Sequence, residues 1–302
     1  MYGVTIMGNN SAIPAFDRHP TAQALHWDDQ VFLIDCGEGT QMQISRYKIR
    51  RNRINHIFIS HLHGDHYFGL IGLITSMGLL GREQPLHIYA PSQLQAIIQT
   101  QLDCASTTLP YTLHFHALAG SGVLLEEKHV TVSCFEVKHR IPTWGFLFKE
   151  KKPPRSLVKE AAIQAGIPEI FFNRLKWGED YTNKQGEIIP NESVTTPARP
   201  PLSYAYCADT LYEPGICEHI QEVTVLYHEA TFLEEQQDKA TDRFHSTAKE
   251  AALIAKAAQA KQLLIGHFSS RYEILDQFEE EACTEFAQTA LALEGVTYLI
   301  KH

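Results

Sequence analysis

His61-Leu62-His63-Gly64-Asp65-His66, directly behind the apolar run Ile57–Ser60, is the stretch on which the fold turns. Alternate side chains of an extended segment point the same way, so His61 and His63 can share one cation. Gly64 lets the chain turn, after which Asp65 and His66 can face a second cation beside the first. Imidazole with carboxylate suits zinc or another borderline transition metal, and open coordination positions make such a site catalytic. Six residues do not complete two sites, and the chain offers further ligands at matching places. His139 lies in the loop after a strand expected at Val130–Val137, Asp209 follows Leu202–Cys207, and His267 follows Gln262–Gly266. Each stands behind an apolar run, which puts the ligands at strand ends on one edge of the sheets. A bridging carboxylate such as Asp209 would help hold two cations about 3.5–4 Å apart, the spacing of in-line hydrolysis. His19, His26, His56, His87, His114, His116, His129, His219 and His302 are read as structural or exposed.

Further strands are expected at Tyr2–Met7, Gln30–Cys36, Ile54–Ser60, Leu86–Ala90, Thr143–Phe148 and Val223–Tyr227, all rich in branched and aromatic residues. Helices are expected at Gly39–Lys48, Tyr67–Leu80, Pro91–Leu102, Thr247–Gln259 and Tyr272–Leu293. Thr247-Ala248-Lys249-Glu250 fits a capping box, in which hydroxyl and carboxylate each satisfy a free helix-start amide. Strands alternating with helices in both halves predict an α/β architecture.

The 302 residues are 44% hydrophobic and 20% charged, enough to bury a sizeable core and too apolar for a disordered tail. A net charge of −9 excludes a uniformly basic nucleic-acid coat, although not local basic patches. Six cysteines without a C-x-x-C pair, and no signal peptide at Met1-Tyr2-Gly3-Val4, predict free thiols and a cytoplasmic protein. The longest nearly apolar stretch, Gly69–Gly81, is too short for a membrane span. From Lys149 to about Pro201 the composition changes to turn residues, among them Pro153-Pro154, Trp177-Gly178 and Pro200-Pro201, interrupted by one short helical stretch near Ser156–Ala165. A segment of this length is too long for an ordinary loop. One domain, 1–302, with a projecting arm inserted at about 149–201 is the expected organisation.

With these residues assembled, the chain resembles the metallo-β-lactamase superfamily and, within it, the ribonuclease Z family. The superfamily motif is shared by lactamases, thioesterases, nucleases and oxidoreductases, so it points to a site and not a substrate. The narrower resemblance rests on Asp35-Cys36-Gly37-Glu38-Gly39-Thr40-Gln41, similar to D-x-G-E-G-T-Q, and on Ala208-Asp209-Thr210. His228-Glu229-Ala230-Thr231 matches the family's HEAT loop letter for letter. Phe244-His245-Ser246-Thr247-Ala248 and Gly266-His267-Phe268-Ser269-Ser270-Arg271-Tyr272 match its two remaining signatures. Two stretches depart from the pattern: Ile167–Trp177 replaces a glycine- and proline-rich arm tip, and Pro14-Ala15-Phe16-Asp17-Arg18-His19 stands where the family often shows P-T-x-x-R-N. Phe171, Phe172 and Trp177 are left open between packing against a partner subunit and stacking on RNA.

The resemblance implies a four-layer αββα sandwich and two zinc ions per subunit, with manganese or another divalent metal as the alternative. His61, His63 and His139 would hold one cation, Asp65, His66 and His267 the other, with Asp209 between them. It implies an endoribonuclease that cuts the 3′ trailer from precursor tRNA by activated water, leaving a 3′-hydroxyl. Asp65 would orient the water, and His245, aligned by Glu229, would protonate the leaving oxygen. His228 stays open between a backbone hydrogen bond and a role in the site. Ser269 and Arg271 would contact phosphate, with a structural ion pair the other reading of Arg271; Arg18 is a further contact. Relatives suggest a homodimer whose arms grip the tRNA, and Lys151, Lys152 and Arg155 open that arm. A second basic run, Arg46, Lys48, Arg50, Arg51 and Arg53, contains no acid. The competing expectation is a phosphodiesterase or other small-molecule hydrolase on the same fold. A non-catalytic or di-iron protein would require replaced ligands, and all seven positions carry hydrolytic types.

Overall fold

Two seven-stranded sheets carry the chain's apolar runs; the computed structural model describes residues 2–151 and 153–301. In the first sheet β1 (Tyr2–Gly8), β2 (Ala22–Trp27) and β3 (Gln30–Ile34) form an antiparallel meander. β4 (Ile54–Phe58), β5 (Leu86–Ala90) and β6 (Leu113–Ala117) then join in parallel. Parallel neighbours need crossovers, and helices supply them: α1 (Thr40–Arg46), α2 (Gly64–Tyr67) with α3 (Leu70–Leu79), and α4 (Gln93–Cys104). Their apolar faces bury Ile44, Leu73 and Ile98 against Leu33, Ile57 and Ile88 of the sheet. The helix expected at Tyr67–Leu80 instead starts at Gly64 and breaks before Leu70. There Gly69 lies so close to the Gly37 carbonyl that a Cβ would sit 2.1 Å from its oxygen.

β7 (Gly122–Glu126), β8 (Val130–Val137) and β9 (Thr143–Glu150) begin the second sheet. The chain then enters a second compact unit, Glu127–Thr131 with Lys149–Leu202. It holds β10 (Ser156–Leu157), α5 (Lys159–Gln164), α6 (Phe172–Lys176), β11 (Tyr181–Thr182), β12 (Ile188–Ile189), α7 (Asn191–Val194) and β13 (Thr195–Thr196). It has its own small core of Ala162, Ile167, Leu175 and Val194, with Phe171 and Phe172 packed on it. Trp177 is 60% exposed. Glu150 clamps the unit's return, taking both Arg199 guanidinium nitrogens at 2.6 and 2.7 Å and the Leu202 amide at 3.0 Å.

Back in the second sheet, β14 (Ser203–Cys207), β15 (Val225–Glu229), β16 (Gln262–Gly266) and β17 (Thr289–Leu291) run parallel. α8 (Gln237–Arg243), α9 (Ala248–Ala257) and α10 (Asp276–Cys283) intervene. α9 starts with the expected capping box: the Glu250 amide donates to Thr247 Oγ1 at 3.2 Å and the Thr247 amide to Glu250 Oε2 at 2.9 Å. α9 and α10 bury Ala251, Ile254 and Phe278 against Leu226 and Leu263. The long helix expected at Tyr272–Leu293 is α10 alone, because Thr289–Leu291 pairs as an edge strand with β16. β18 (Thr297–Leu299) closes the first sheet beside β1.

Between the sheets lies an aromatic layer. Phe58 meets Phe146 and Phe148 at ring centroids of 5.4 and 5.3 Å, and Phe32 meets Phe148 at 5.4 Å. All four rings are fully buried. Burying an aromatic ring contributes about 1.5–3 kcal/mol, so this layer is a main adhesive between the halves. Helix, sheet, sheet, helix is the αββα sandwich that the resemblance implies.

Candidate metal centre and catalytic cavity

Strand ends deliver the polar side chains. His61 and His63 follow β4, with Asp65 and His66 on α2; His139 follows β8, Asp209 follows β14 and His267 follows β16. Among the described residues three groups of facing donors result: His61, His63, His139 and Asp209; Asp65, His66 and His267; and Asp209, His245 and His267, which shares a member with each of the others. In the first, His63 Nδ1 lies 3.0 Å from His61 Nε2 and 3.2 Å from His139 Nε2. Asp209 divides its carboxylate between them. Its Oδ2 is 3.6 Å from His61 Nε2, while its Oδ1 is 3.4 Å from His66 Nε2 and 3.3 Å from His267 Nε2. Asp65 Oδ2 completes the second group at 3.6 Å from His66 and 3.4 Å from His267.

Surrounding hydrogen bonds choose the tautomers. His139 Nδ1 donates to the Phe244 carbonyl at 2.8 Å and His66 Nδ1 to Asp35 Oδ2 at 2.7 Å. Ser60 Oγ donates to Asp35 at 2.9 Å and so accepts from His61 Nδ1 at 3.0 Å. Thr231 Oγ1 donates to Glu229 at 2.7 Å and accepts from His267 Nδ1 at 2.9 Å. Every one of these rings therefore turns its Nε2 toward the cluster, the arrangement a cation requires. His66 Nε2 and Asp209 Oδ1 are buried and find no hydrogen-bond partner among the described residues. An orphaned imidazole nitrogen and carboxylate oxygen facing each other fit the binding of a divalent cation.

Charge is concentrated here. Burial opposes ionisation of Asp65, yet the His66 and His267 rings outweigh it and hold the acid below the usual range. Burial likewise opposes protonation of His66, but Asp209, Asp65 and Asp35 lift its pKa well above normal. His61 and His63 go the other way, through burial first and neighbouring imidazoles second, His63 to about 4. Both rings thus remain neutral at pH 7, the form able to ligate a cation.

Beside the cluster stands a dyad. His245 Nδ1 donates to Glu229 Oε1 at 2.9 Å. That carboxylate is fully buried and also accepts from the amides of Thr210, Ser246 and Thr231 at 3.1, 3.0 and 2.9 Å. Burial pulls the His245 pKa down, and the charges of Glu229 and Asp209 more than reverse it. His228, in contrast, is buried, donates Nδ1 to the Glu229 carbonyl at 2.6 Å and is held neutral by burial.

A cavity of about 710 Å³ opens over this edge. It exposes His63, Asp65, Asp209, His245 and His267 together with Ser269 and Arg271. Arg140, Lys239 and Arg243 line it as well, and were not among the expected contacts; Arg140 follows His139 and Arg243 stands two residues before His245, while Lys239 carried no signal in the sequence. Arg18 does not line it. Its guanidinium donates to Asn10 Oδ1 at 2.9 Å and to the carbonyls of Glu273 and Tyr272 at 3.1 and 2.5 Å, bracing the loop behind His267. Lys151 and Arg155 belong to the second unit, where Arg155 donates to Thr195 Oγ1 at 2.7 Å; Lys152 lies outside the described residues. Asp35 is the residue that the motif contained without its task being legible. Fully buried at φ 54°, it anchors His66, Ser60 and the Tyr206 hydroxyl. His267 shares this strained backbone at φ 63°.

Residues 3–151 match the family described as Anti-Pycsar protein Apyc1. Over 299 residues the chain is 42% identical to the Ribonuclease Z of Bacteroides thetaiotaomicron, spanning 98% of this chain and 95% of that protein. Among solved structures, the short form of human tRNase Z (ELAC1) superposes with a TM-score of 0.73 at 27% identity, covering 99% of this chain and 100% of that one. The metallo-beta-lactamase fold protein YhfI of Bacillus subtilis gives a TM-score of 0.70 at 19% identity over 99% of both chains, a likeness of fold alone.

Proposed function

The chain belongs to the ribonuclease Z family, and from that premise we propose that it removes the 3′ trailer from tRNA precursors by zinc-dependent hydrolysis, leaving a 3′-hydroxyl on the tRNA. Two zinc ions per subunit, or manganese or another divalent metal in their place, would lower the pKa of a water to about 7 and neutralise charge on the scissile phosphate. His61, His63 and His139 would hold one and Asp65, His66 and His267 the other, with Asp209 serving both. Asp65 Oδ2 already accepts from the Ala12 amide at 2.7 Å, which fixes its orientation, and its other lone pairs can hold the attacking water's proton. As water oxygen bonds to phosphorus and the 3′-oxygen leaves, His245 supplies the proton that makes it a hydroxyl. Glu229 keeps that imidazole charged and correctly turned until then. Arg271 and Ser269, with Arg140, Lys239 and Arg243, give phosphates their donors on an otherwise acidic protein.

The observation that carries this reading is the divided Asp209 carboxylate beside the His245–Glu229 dyad, on one wall of one cavity. In the same reading Lys149–Pro201 is an arm that grips the tRNA through Lys151, Lys152 and Arg155, in a cytoplasmic homodimer. The test maps cuts in a 3′-extended tRNA precursor, against a size-matched unstructured RNA, for intact protein, Asp65→Ala and a deletion of residues 151–196. A single metal-dependent cut after the discriminator base, lost in Asp65→Ala and weakened for tRNA by the deletion, is expected. An intact, metal-loaded protein that leaves tRNA uncut yet turns over a small phosphodiester would assign the site to small-molecule hydrolysis instead.

A further inference from the structure

Three parallel strands of the first sheet end at one edge, and a second concavity opens there. Leu62 and His63 follow β4, Pro91 follows β5 and Leu118 follows β6, while Ile141 and Pro142 lead into β9 and Trp144 lies at its start. These residues enclose a groove of about 500 Å³, within the range of about 300–1,000 Å³ of small-ligand sites. The carboxyl ends of parallel strands are where α/β folds receive ligands. Its walls are fixed: the Leu118 amide donates to the Ala90 carbonyl at 2.9 Å, the Trp144 amide to that of Ser60 at 3.1 Å, and Trp144 Nε1 to that of Gly120 at 3.1 Å. Pro91, Leu118 and Trp144 are buried and Ser92 and Gln93 exposed, so an apolar floor opens to solvent past a hydroxyl and an amide.

His63 is the wall that this groove shares with the catalytic cavity. Its Nδ1 faces His61 and His139 across 3.0 and 3.2 Å, which leaves the far edge of the ring for the groove. The chain crosses the same boundary again, since Arg140 lines the cavity and Ile141 the groove. Chemistry changes across it. The cavity presents Arg140, Lys239, Arg243 and Arg271, whereas among the described residues no Lys, Arg, Asp or Glu lines the groove. A nucleotide divides in the same way, an anionic phosphate beside a flat, uncharged base. We propose that the groove seats the base of a nucleotide flanking the scissile phosphate, a proposal that rests on the ribonuclease reading of the cavity. Contact with apolar walls tolerates any base, so a missing base costs more than a changed one. The Gln93 amide and Ser92 hydroxyl at the mouth offer donors and acceptors to the base edge. Because the walls are set beforehand, the contact costs little ordering on binding. Seating the base holds the adjoining phosphorus in place before Asp65 and His245, which raises kcat/KM.

The test is cleavage of a 3′-extended tRNA precursor carrying an abasic residue at either nucleotide flanking the cut. It compares wild type with Ser92→Trp, which plugs the mouth, and Ile141→Ala, which trims a wall. The Ser92 side chain makes no cap hydrogen bond to α4, so its replacement leaves that helix start intact; zinc content and circular dichroism verify both variants. In the wild type an abasic residue at one of the two positions is expected to lower kcat/KM about tenfold, the scale of one base contact. Each variant should lower kcat/KM on the intact precursor, and the two losses should not multiply, because a spoiled groove has little left to lose when the base is gone. An abasic penalty unchanged in both variants, or no penalty at either position, overturns the proposal, while cleavage of the intact precursor keeps the ribonuclease reading. A precursor left uncut by wild type sinks that reading instead, and the groove is then tested with thymidine 3′- and 5′-(p-nitrophenyl phosphate) against methyl p-nitrophenyl phosphate. There a base-dependent gain in kcat/KM that both variants reduce upholds the base seat, and equal turnover of the three esters overturns it.

Discussion

Replacing Asp35 by Asn tests how the chain prepares its second ligand group. The carboxylate takes four donors: the Ser60 amide at 2.7 Å on Oδ1, and on Oδ2 the Ser60 hydroxyl at 2.9 Å, the Tyr206 hydroxyl at 2.6 Å and His66 Nδ1 at 2.7 Å. An amide keeps an acceptor for Ser60 but puts an NH2 where Oδ2 stood. The two hydroxyls can rotate and accept from it, so the fold loses little, about 1–3 kcal/mol for one compromised buried group. His66 has no such freedom. Its Nδ1 meets the NH2 only as an acceptor, which moves the ring proton to Nε2, the atom aimed at Asp65 and Asp209. Loss of such a supporting carboxylate lowers metal affinity about 10–100-fold, or about 1.4–2.8 kcal/mol. Zinc competition with a chromophoric chelator should thus show the affinity of the second group falling by that factor in Asp35→Asn, with urea unfolding of the metal-free protein reporting the separate loss of about 1–3 kcal/mol. Two dissociation constants indistinguishable from wild type, in a folded variant, would refute the tautomer argument.

His245→Ala should slow cleavage of an RNA phosphodiester about 10²–10⁴-fold without changing zinc stoichiometry, and should scarcely affect a p-nitrophenyl ester, whose leaving group needs no proton. Because Glu229 raises the His245 pKa, the protonated acid persists above the ordinary value of about 6.5, and activity falls only as pH rises through the raised value. Glu229→Gln removes that support, so the alkaline limb of kcat against pH should move to lower pH; an unmoved limb would assign it to another group. Gly37→Ala places a Cβ 2.4 Å from the Asp65 carbonyl oxygen and should destabilise by about 1–3 kcal/mol while displacing Asp65, seen as lower Tm and weaker metal binding together.

The His/Asp cluster at the sheet edge was legible because its members follow apolar runs, and a polar residue able to chelate breaks the pattern that burial dictates there. The tautomer-setting residues were not. Ser60 and Thr231 are ordinary in sequence, and Asp35 acquires its task only when β4 brings Ser60 and the His66 loop onto it. Cavity cations such as Arg140 and Arg243 resemble any solvated arginine until the cavity forms. Among the elements, β16 announced itself through Leu263-Leu264-Ile265, and β5 and β8 through branched and aromatic residues such as Ile88-Tyr89 and Val130-Thr131-Val132. β2 and β6 did not, with Ala-Gln-Ala and His-Phe-His among their residues, and their strand character comes from the neighbours they pair with. The overlong helix at Tyr272–Leu293 fails for the same reason: nothing local stops it, and sheet pairing recruits Thr289–Leu291.

The residues proposed to hold each cation come from both sheets, His66 beside β4 and His267 beside β16. A cation bound between them is therefore a cross-link as well as a reagent. It ties together points about 200 residues apart, a span over which closing a loop costs little more than closing one half as long. Until both sheets have docked through their aromatic layer, no complete binding site exists for it. Metal uptake should accordingly be a late event in biogenesis, and a chain held open during synthesis has nothing with which to capture the wrong ion. The same clamp resists prying apart: proteases that exploit transient parting of the two sheets should find the loaded form slow to yield and the stripped form quick.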